Sequence, residues 1–266
     1  LSNGIRYDVG LVLSDYQSEI LKFSGNQNGL LSTLYDGMKM GEIWGYETVG
    51  ILQENDFTID ENGKYVLIGP SQTKVHSTLY PGDVRYADLN GDGEISNGDN
   101  TLENPGDRKI IGNSTPRFQY GITGNISWKN IDLNIFFQGI GKRDVWISDN
   151  VFWGGSGTAG NWEMYNNSWT PERTNAKYPM YAGRIASTQQ SGYLFNAAYL
   201  RLKTLAIGYT LPREWTSKAK LSTVRFSLSG YNLFEITQVP DLYDPDQISS
   251  AYPMMRSVAF GLQVGF

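Results

Sequence analysis

Residues 88–99, DLNGDGEISNGD, place oxygen donors at the spacing a hard cation needs. Asp88, Asn90 and Asp92 stand at places one, three and five, the Glu94 carbonyl at seven, Ser96 at nine and Asp99 at twelve. Gly93 sits at six, where such a loop turns sharply, and Ile95 at eight, where an apolar anchor is usual. Oxygen donors converging in one short loop suit Ca²⁺ better than Mg²⁺, which keeps its waters. Asp at place twelve reaches less far than the usual Glu. The spacing therefore predicts a calcium loop with altered coordination, or else a polar Asx/Gly turn that binds nothing. No helical period flanks the loop, so it is not one of a sensor's paired loops. Its role on either reading is to stiffen a connection.

Other chemistry is sparse. The chain has no Cys, which removes thiolate metal sites, disulfides and a cysteine nucleophile. His76, the only histidine, lies in the polar stretch TKVHSTLYPGD with no GxSxG-type elbow elsewhere, and reads as a solvated loop residue. Trp146, Trp153, Trp162, Tyr165 and Trp169 gather within residues 141–198, beside Asp149, Asn150, Asn161, Glu163 and Asn166. Three readings fit them: packing of the loop, anchoring of a protein partner, or stacking on sugar rings. Asp241, Asp244 and Asp246 read as a solvated acidic loop. Two carboxylates for glycosidase work can be drawn from these loops, but nothing fixes their separation, and no enzyme is expected. A net charge of −5 and a pI near 5.0 give no case for nucleic-acid binding.

The elements that position these residues alternate with period two. In RFQYGITGNISW (117–128), Phe118, Tyr120, Ile122, Ile126 and Trp128 share one face, against Arg117, Gln119, Thr123, Asn125 and Ser127. Similar strands fall at 5–13, 131–140, 224–234 and 258–266, with Phe136 the one residue out of phase. Residues 199–211 are extended too, but their apolar face shifts between Leu202 and Leu205, which predicts a bulge. Two or three further strands are expected before residue 70. Strands of about ten residues with one apolar face, aromatic ends and a small polar opposite face predict an all-β, antiparallel transmembrane barrel. A secreted, calcium-stabilised all-β carbohydrate-binding module is the competing class, since a sandwich also alternates, usually on shorter strands.

The connections carry an independent test. Lys129-Asn130 and residues 212–223 are short, whereas 70–116, 141–198 and 236–255 are long. If the last strand runs inward, every short turn is periplasmic and every long loop extracellular, as in outer-membrane barrels.

A set of motifs then resembles one family. GEIWGYETVGILQ (41–53), GDVRYADLNGDGEI (82–95), DRKIIGNSTPRFQYGI (107–122), IDLNIFFQG (131–139), SWTPERTNAKYP (168–179), AAYLRLKTLAIGYTLP (197–212), LSGYNLFEIT (228–237) and YDPD (243–246) look like the C-terminal part of a SusC/RagA-like TonB-dependent outer-membrane transporter. The resemblance implies a barrel of about 22 strands in the outer membrane of a Gram-negative bacterium. It further implies a plug domain and TonB box outside these residues, and uptake of oligosaccharides or peptides powered through TonB. A SusD-like lipoprotein would close the mouth, and the wall would meet membrane lipid and lipopolysaccharide. The closing alternation Val258, Phe260, Leu262, Val264 and Phe266 resembles the signal read by the barrel-assembly machinery.

Overall fold

The computed structural model describes residues 4–153, 162–181, 188–248 and 254–266. In chain order its strands are β1 (Ile5–Ser14), β2 (Glu42–Tyr46), β3 (Thr48–Ile51), β4 (Phe57–Ile59), β5 (Tyr65–Leu67), β6 (Val84–Tyr86), β7 (Arg108–Asn113), β8 (Arg117–Trp128), β9 (Ile131–Lys142), β10 (Asp144–Val145), β11 (Phe195–Asn196), β12 (Tyr199–Thr210), β13 (Thr223–Thr237) and β14 (Ser257–Gly265). Three short helices, α1 (Asn150–Trp153), α2 (Trp162–Asn167) and α3 (Arg213–Thr216), interrupt them. Among the described residues no helix is long and apolar enough to cross a membrane, which says nothing of strands. The chain divides into two units: residues 1–16, 116–143 and 196–266, and residues 17–115 and 144–195.

The first unit is one antiparallel sheet in the order β1-β8-β9-β12-β13-β14. Its register turns the period-two pattern into rows. Tyr7, Ile126, Leu133, Ile207, Leu228 and Phe260 line up across the six strands, as do Leu11, Ile122, Phe137, Leu202 and Phe234 across five. Tyr7, Leu11, Ile207, Leu228 and Phe260 are exposed. A sandwich would bury that face, so its exposure along the sheet decides against the soluble module. Each apolar residue set into hydrocarbon leaves water as it would in a core, at about 25 cal/mol per Å².

The opposite face is polar and self-paired. Asn134 donates to Asn125 at 2.6 Å, and Asn125 to Asp8 at 3.1 Å, across three strands. Arg225 of β13 reaches Asp132 of β9 with two hydrogen bonds of 2.5 and 2.7 Å. It passes over Gly208 of β12, where a side chain would collide with the guanidinium. Phe136, the residue out of phase, faces this side and lies against Gly121.

The predicted bulge is present: β12 slips register between Leu202 and Thr204 against both neighbours. Lys129 takes φ 54°, so the chain reverses within two residues between Trp128 and Ile131, and its ammonium lies 4.7 Å from the Trp128 ring centre. The connections at 129–130 and 211–222 leave one end of the strands, while 15–116, 143–198 and 238–256 leave the other. The first of these long connections runs from residue 15. The extra strands expected before residue 70 exist only as β2–β5, three to five residues each, and belong to the second unit. Gly45 and Gly50 interrupt the apolar runs of β2 and β3, which pair with β7 and β6, while β4 and β5 pair with each other.

The two faces make opposite predictions. In the intact membrane protein, Leu205→Arg should cost about 2–4 kcal/mol, as charge near the midplane of a barrel's lipid face does. Ser229→Arg, on the polar face, should leave assembly near the parent level. Heat-modifiable migration of the assembled barrel on gels measures both.

Candidate functional site

The 88–99 loop is closed by its own side chains. Asp88 accepts from the amides of Gly91 (2.7 Å) and Gly93 (2.9 Å), Asn90 from Asp92 (3.0 Å), and Asp92 from Glu94 (2.8 Å). Gly93 turns at φ 82°, as place six demands, and Ile95 is fully buried. Other side chains of the loop bond nearby, the Glu94 carbonyl of place seven aside. The Glu94 carboxylate pairs with Lys74 at 2.6 Å, Asp99 accepts from Asn104 at 2.9 Å, and Ser96 accepts from the Gly98 amide at 3.1 Å. Among the described residues no three His, Cys, Asp or Glu side chains stand close enough to hold a metal ion. Asp107 closes the loop from outside it. It is fully buried and accepts from the amides of Leu89 and Ser96, both at 2.8 Å, tying the two ends of the loop together.

Two other buried side chains brace the same unit. Gln72 donates to the Val84 carbonyl and accepts from the Tyr86 amide at 2.6 Å, while Gln190 donates to the Tyr86 hydroxyl at 3.2 Å. Burial pushes the Tyr86 hydroxyl well above its ordinary pKa, with the nearby Tyr46 and Asp83 adding to the effect. Asp107, Gln72 and Gln190 lay in stretches without alternation, and a lone Asp or Gln carries no sequence signal of burial. His76 is half-buried on the turn that follows Gln72.

The aromatic group separates into two. Trp153 (1% exposed) and Trp169 (5% exposed) are core residues. Trp153 stacks on Trp146 with ring centres 5.6 Å apart and meets Phe152 and Tyr193 edge-on. The Trp169 indole donates to Gln53 at 2.9 Å. Trp162 and Tyr165 instead project from α2, 77% and 63% exposed, with their rings edge-on at 5.9 Å. Packing thus accounts for three of the five rings, and an outward pair is left. Asn161 lies outside the described residues.

In the acidic loop Asp241 is exposed as expected, but Asp244 is not. The Asp244 side chain is almost buried, accepts from Arg201 at 2.7 Å, and takes further bonds from the amides of Asp246 and Met254. Arg201 is fully buried on β12 at the bulge, so a loop carboxylate stands opposite a cation that the membrane-spanning sheet must neutralise. Burial raises the Asp244 carboxyl, but these bonds outweigh it and hold the carboxyl below its ordinary pKa.

No family model matches the chain. It is 34% identical over 248 residues to TonB-dependent receptor P3 of Formosa agariphila, a stretch covering 88% of this chain and 23% of that protein. TonB-dependent receptor P26 of the same organism is 25% identical, covering 70% and 20%, and receptor P39 is 24% identical, covering 87% and 25%. The fold matches the solved RagAB peptide transporter with a TM-score of 0.62 at 18% identity, over 99% of this chain and 27% of that one. The RagAB peptide importer in its closed-closed state gives 0.62 at 19%, over 99% and 28%. The chain is related to one stretch of the TonB-dependent receptors. It spans about a quarter of the length of the curated relatives it matches. The segment belongs to the outer membrane of a Gram-negative bacterium.

Helix α2 of the transporter segment is fastened by one carboxylate. Glu163 accepts from the Lys177 ammonium and from the Tyr178 hydroxyl, both at 2.7 Å. Burial raises the Glu163 carboxyl, but these two bonds outweigh it and set its pKa below the ordinary 4.5. The Tyr178 hydroxyl is pushed up to about 12, mainly by burial. A depressed carboxyl stabilises above its unfolded pKa and loses that contribution as pH falls through the folded one. Hydrogen-exchange protection of residues 162–167 should therefore hold down to pH 4.5 and fall below it. In Glu163→Gln the protection should be lower and flat with pH.

Proposed function

We propose that this segment forms part of the wall and the extracellular connections of a TonB-dependent nutrient importer. The importer takes up oligosaccharides or peptides and works with a SusD-like surface lipoprotein that lids its mouth. One observation carries the reading: an uncovered apolar face on strands of nine to fifteen residues, in a chain related to TonB-dependent receptors. The relatives are receptors, and the RagAB structures are described as a peptide transporter, which supports transport rather than catalysis. TonB would act through parts outside these residues. The alternation Val258, Phe260, Leu262, Val264 and Phe266 at β14 would serve barrel assembly.

The outward rings Trp162 and Tyr165 are the proposed anchors for the lipoprotein lid. Large rigid aromatics gain most from burial at an interface, commonly about 2 kcal/mol or more at a central position. In cells carrying Trp162→Ala with Tyr165→Ala, co-purification of the lipoprotein with the receptor should fall at least about tenfold. Uptake of fluorescent oligosaccharide or peptide should fall with it, while receptor abundance holds. Unchanged co-purification removes the lid assignment, and uptake that is indifferent to deletion of the receptor removes the importer.

For the 88–99 loop the proposed role is stiffening, with Ca²⁺ as the ion its oxygens would take and Asp88, Asn90 and Asp92 as first donors. Calorimetric titration of the intact receptor with Ca²⁺ should give heat that Asp88→Ala abolishes. Absence of heat in the parent assigns the stiffening to Asp107 alone, and Asp107→Ala should then loosen residues 88–97 in hydrogen exchange.

A further inference from the structure

Beside the same loop the second unit holds a cavity of about 270 Å³. Trp44 and Tyr46 supply one wall from β2, and Lys74, Asn97, Arg108 and Thr188 supply the rest. The Tyr46 hydroxyl donates to the Asn97 side-chain oxygen at 2.6 Å, so the amide is oriented with its NH₂ still to be used. Arg108 is held entirely by neutral acceptors: the Asn97 carbonyl at 3.1 Å, the Asn100 side-chain oxygen at 2.8 Å and the Pro105 carbonyl at 3.4 Å. Among the described residues no carboxylate pairs with it. Burial presses its pKa below the ordinary value, which is the signature of a charge short of counter-ions. Lys74 brings a second cation to the rim, shared with Glu94 at 2.6 Å.

We propose that this cavity receives an acidic sugar unit, its carboxylate or sulfate on Arg108 and Lys74 and its ring against Trp44. An arginine fork matches planar or tetrahedral oxyanions with paired hydrogen bonds, and an indole beside amide and hydroxyl groups suits a sugar ring with its hydroxyls. The volume fits one or two ring units rather than a polymer. The 88–99 loop then acquires a use: held by Asp107, it fixes Asn97 in the cavity wall and sets Glu94 against Lys74 at the rim. The assignment rests on the import reading and deepens it by naming a substrate class.

The test is a binding titration of the intact receptor in detergent micelles. The probes are trigalacturonate, a trimer of galactose 6-sulfate, neutral galactotriose and triglutamate. At least one acidic sugar should bind about tenfold or more tighter than galactotriose. Lys74→Met and Arg108→Gln should remove that preference. Arg108 also braces residues 97–105, so if Arg108→Gln lowers the melting temperature, the exposed Lys74→Met decides. Equal affinity for acidic and neutral trimers, or a preference that survives Lys74→Met, overturns the proposal. Triglutamate binding as tightly as trigalacturonate overturns the sugar assignment. Lost charge preference with normal uptake of acidic sugar counts against the cavity alone, and acidic-sugar uptake that is indifferent to deletion of the receptor counts against the import reading.

Discussion

A strand in hydrocarbon has no water for its amides and carbonyls, so each backbone group must pair with a neighbouring strand. That constraint makes register the quantity on which the first unit depends. Once Ile5 pairs with Trp128 and Trp128 with Ile131, period two sends the apolar side chains to one face along the ladder, with Val12 and Phe136 the exceptions. A slip by one residue would put Asp132, Arg225 and Asn134 into lipid. The polar face resists such a slip, because the Asp132–Arg225 and Asp8–Asn125–Asn134 contacts each tie strands together in one register only.

The bulge at Leu202–Thr204 is where that regularity is deliberately broken. Skipping Lys203 lets Leu200 and Leu202 keep the apolar side above the break while Arg201 keeps the polar side, opposite Asp244. Replacing Asp244 by Asn would leave a buried guanidinium short of charge, a loss of the kind that costs about 3–5 kcal/mol when a buried pair is broken from one side. The sheet and its loop 238–248 are thus coupled through one ion pair.

Long alternating strands were legible in the sequence because a single physical rule, one face in lipid and one in water, governs all of their residues. β8 begins and ends where its alternation does, and even the bulge showed as a phase change. The second unit was not legible in the same way. Its strands are two to six residues long, too short for a period, and its order comes from side chains bonding backbone far away in sequence. Asp107, Gln72 and Gln190 do this without any motif. The loop 88–99 was recognised by its donors, but donor spacing does not reveal where each carboxylate turns. Asp244 misled for a related reason: an acidic run looks solvated until its partner, 43 residues earlier in the chain, is known.

The central claim is that one face of this sheet meets lipid. Nitroxide labels placed singly from Val224 to Phe234 in the reconstituted receptor measure it most directly, through their accessibility to oxygen dissolved in the bilayer. The account predicts alternation, high at 226 and 228 and low at 225, 227 and 229, with the phase broken near Asn232. Uniform accessibility, or alternation in the opposite phase, would contradict it.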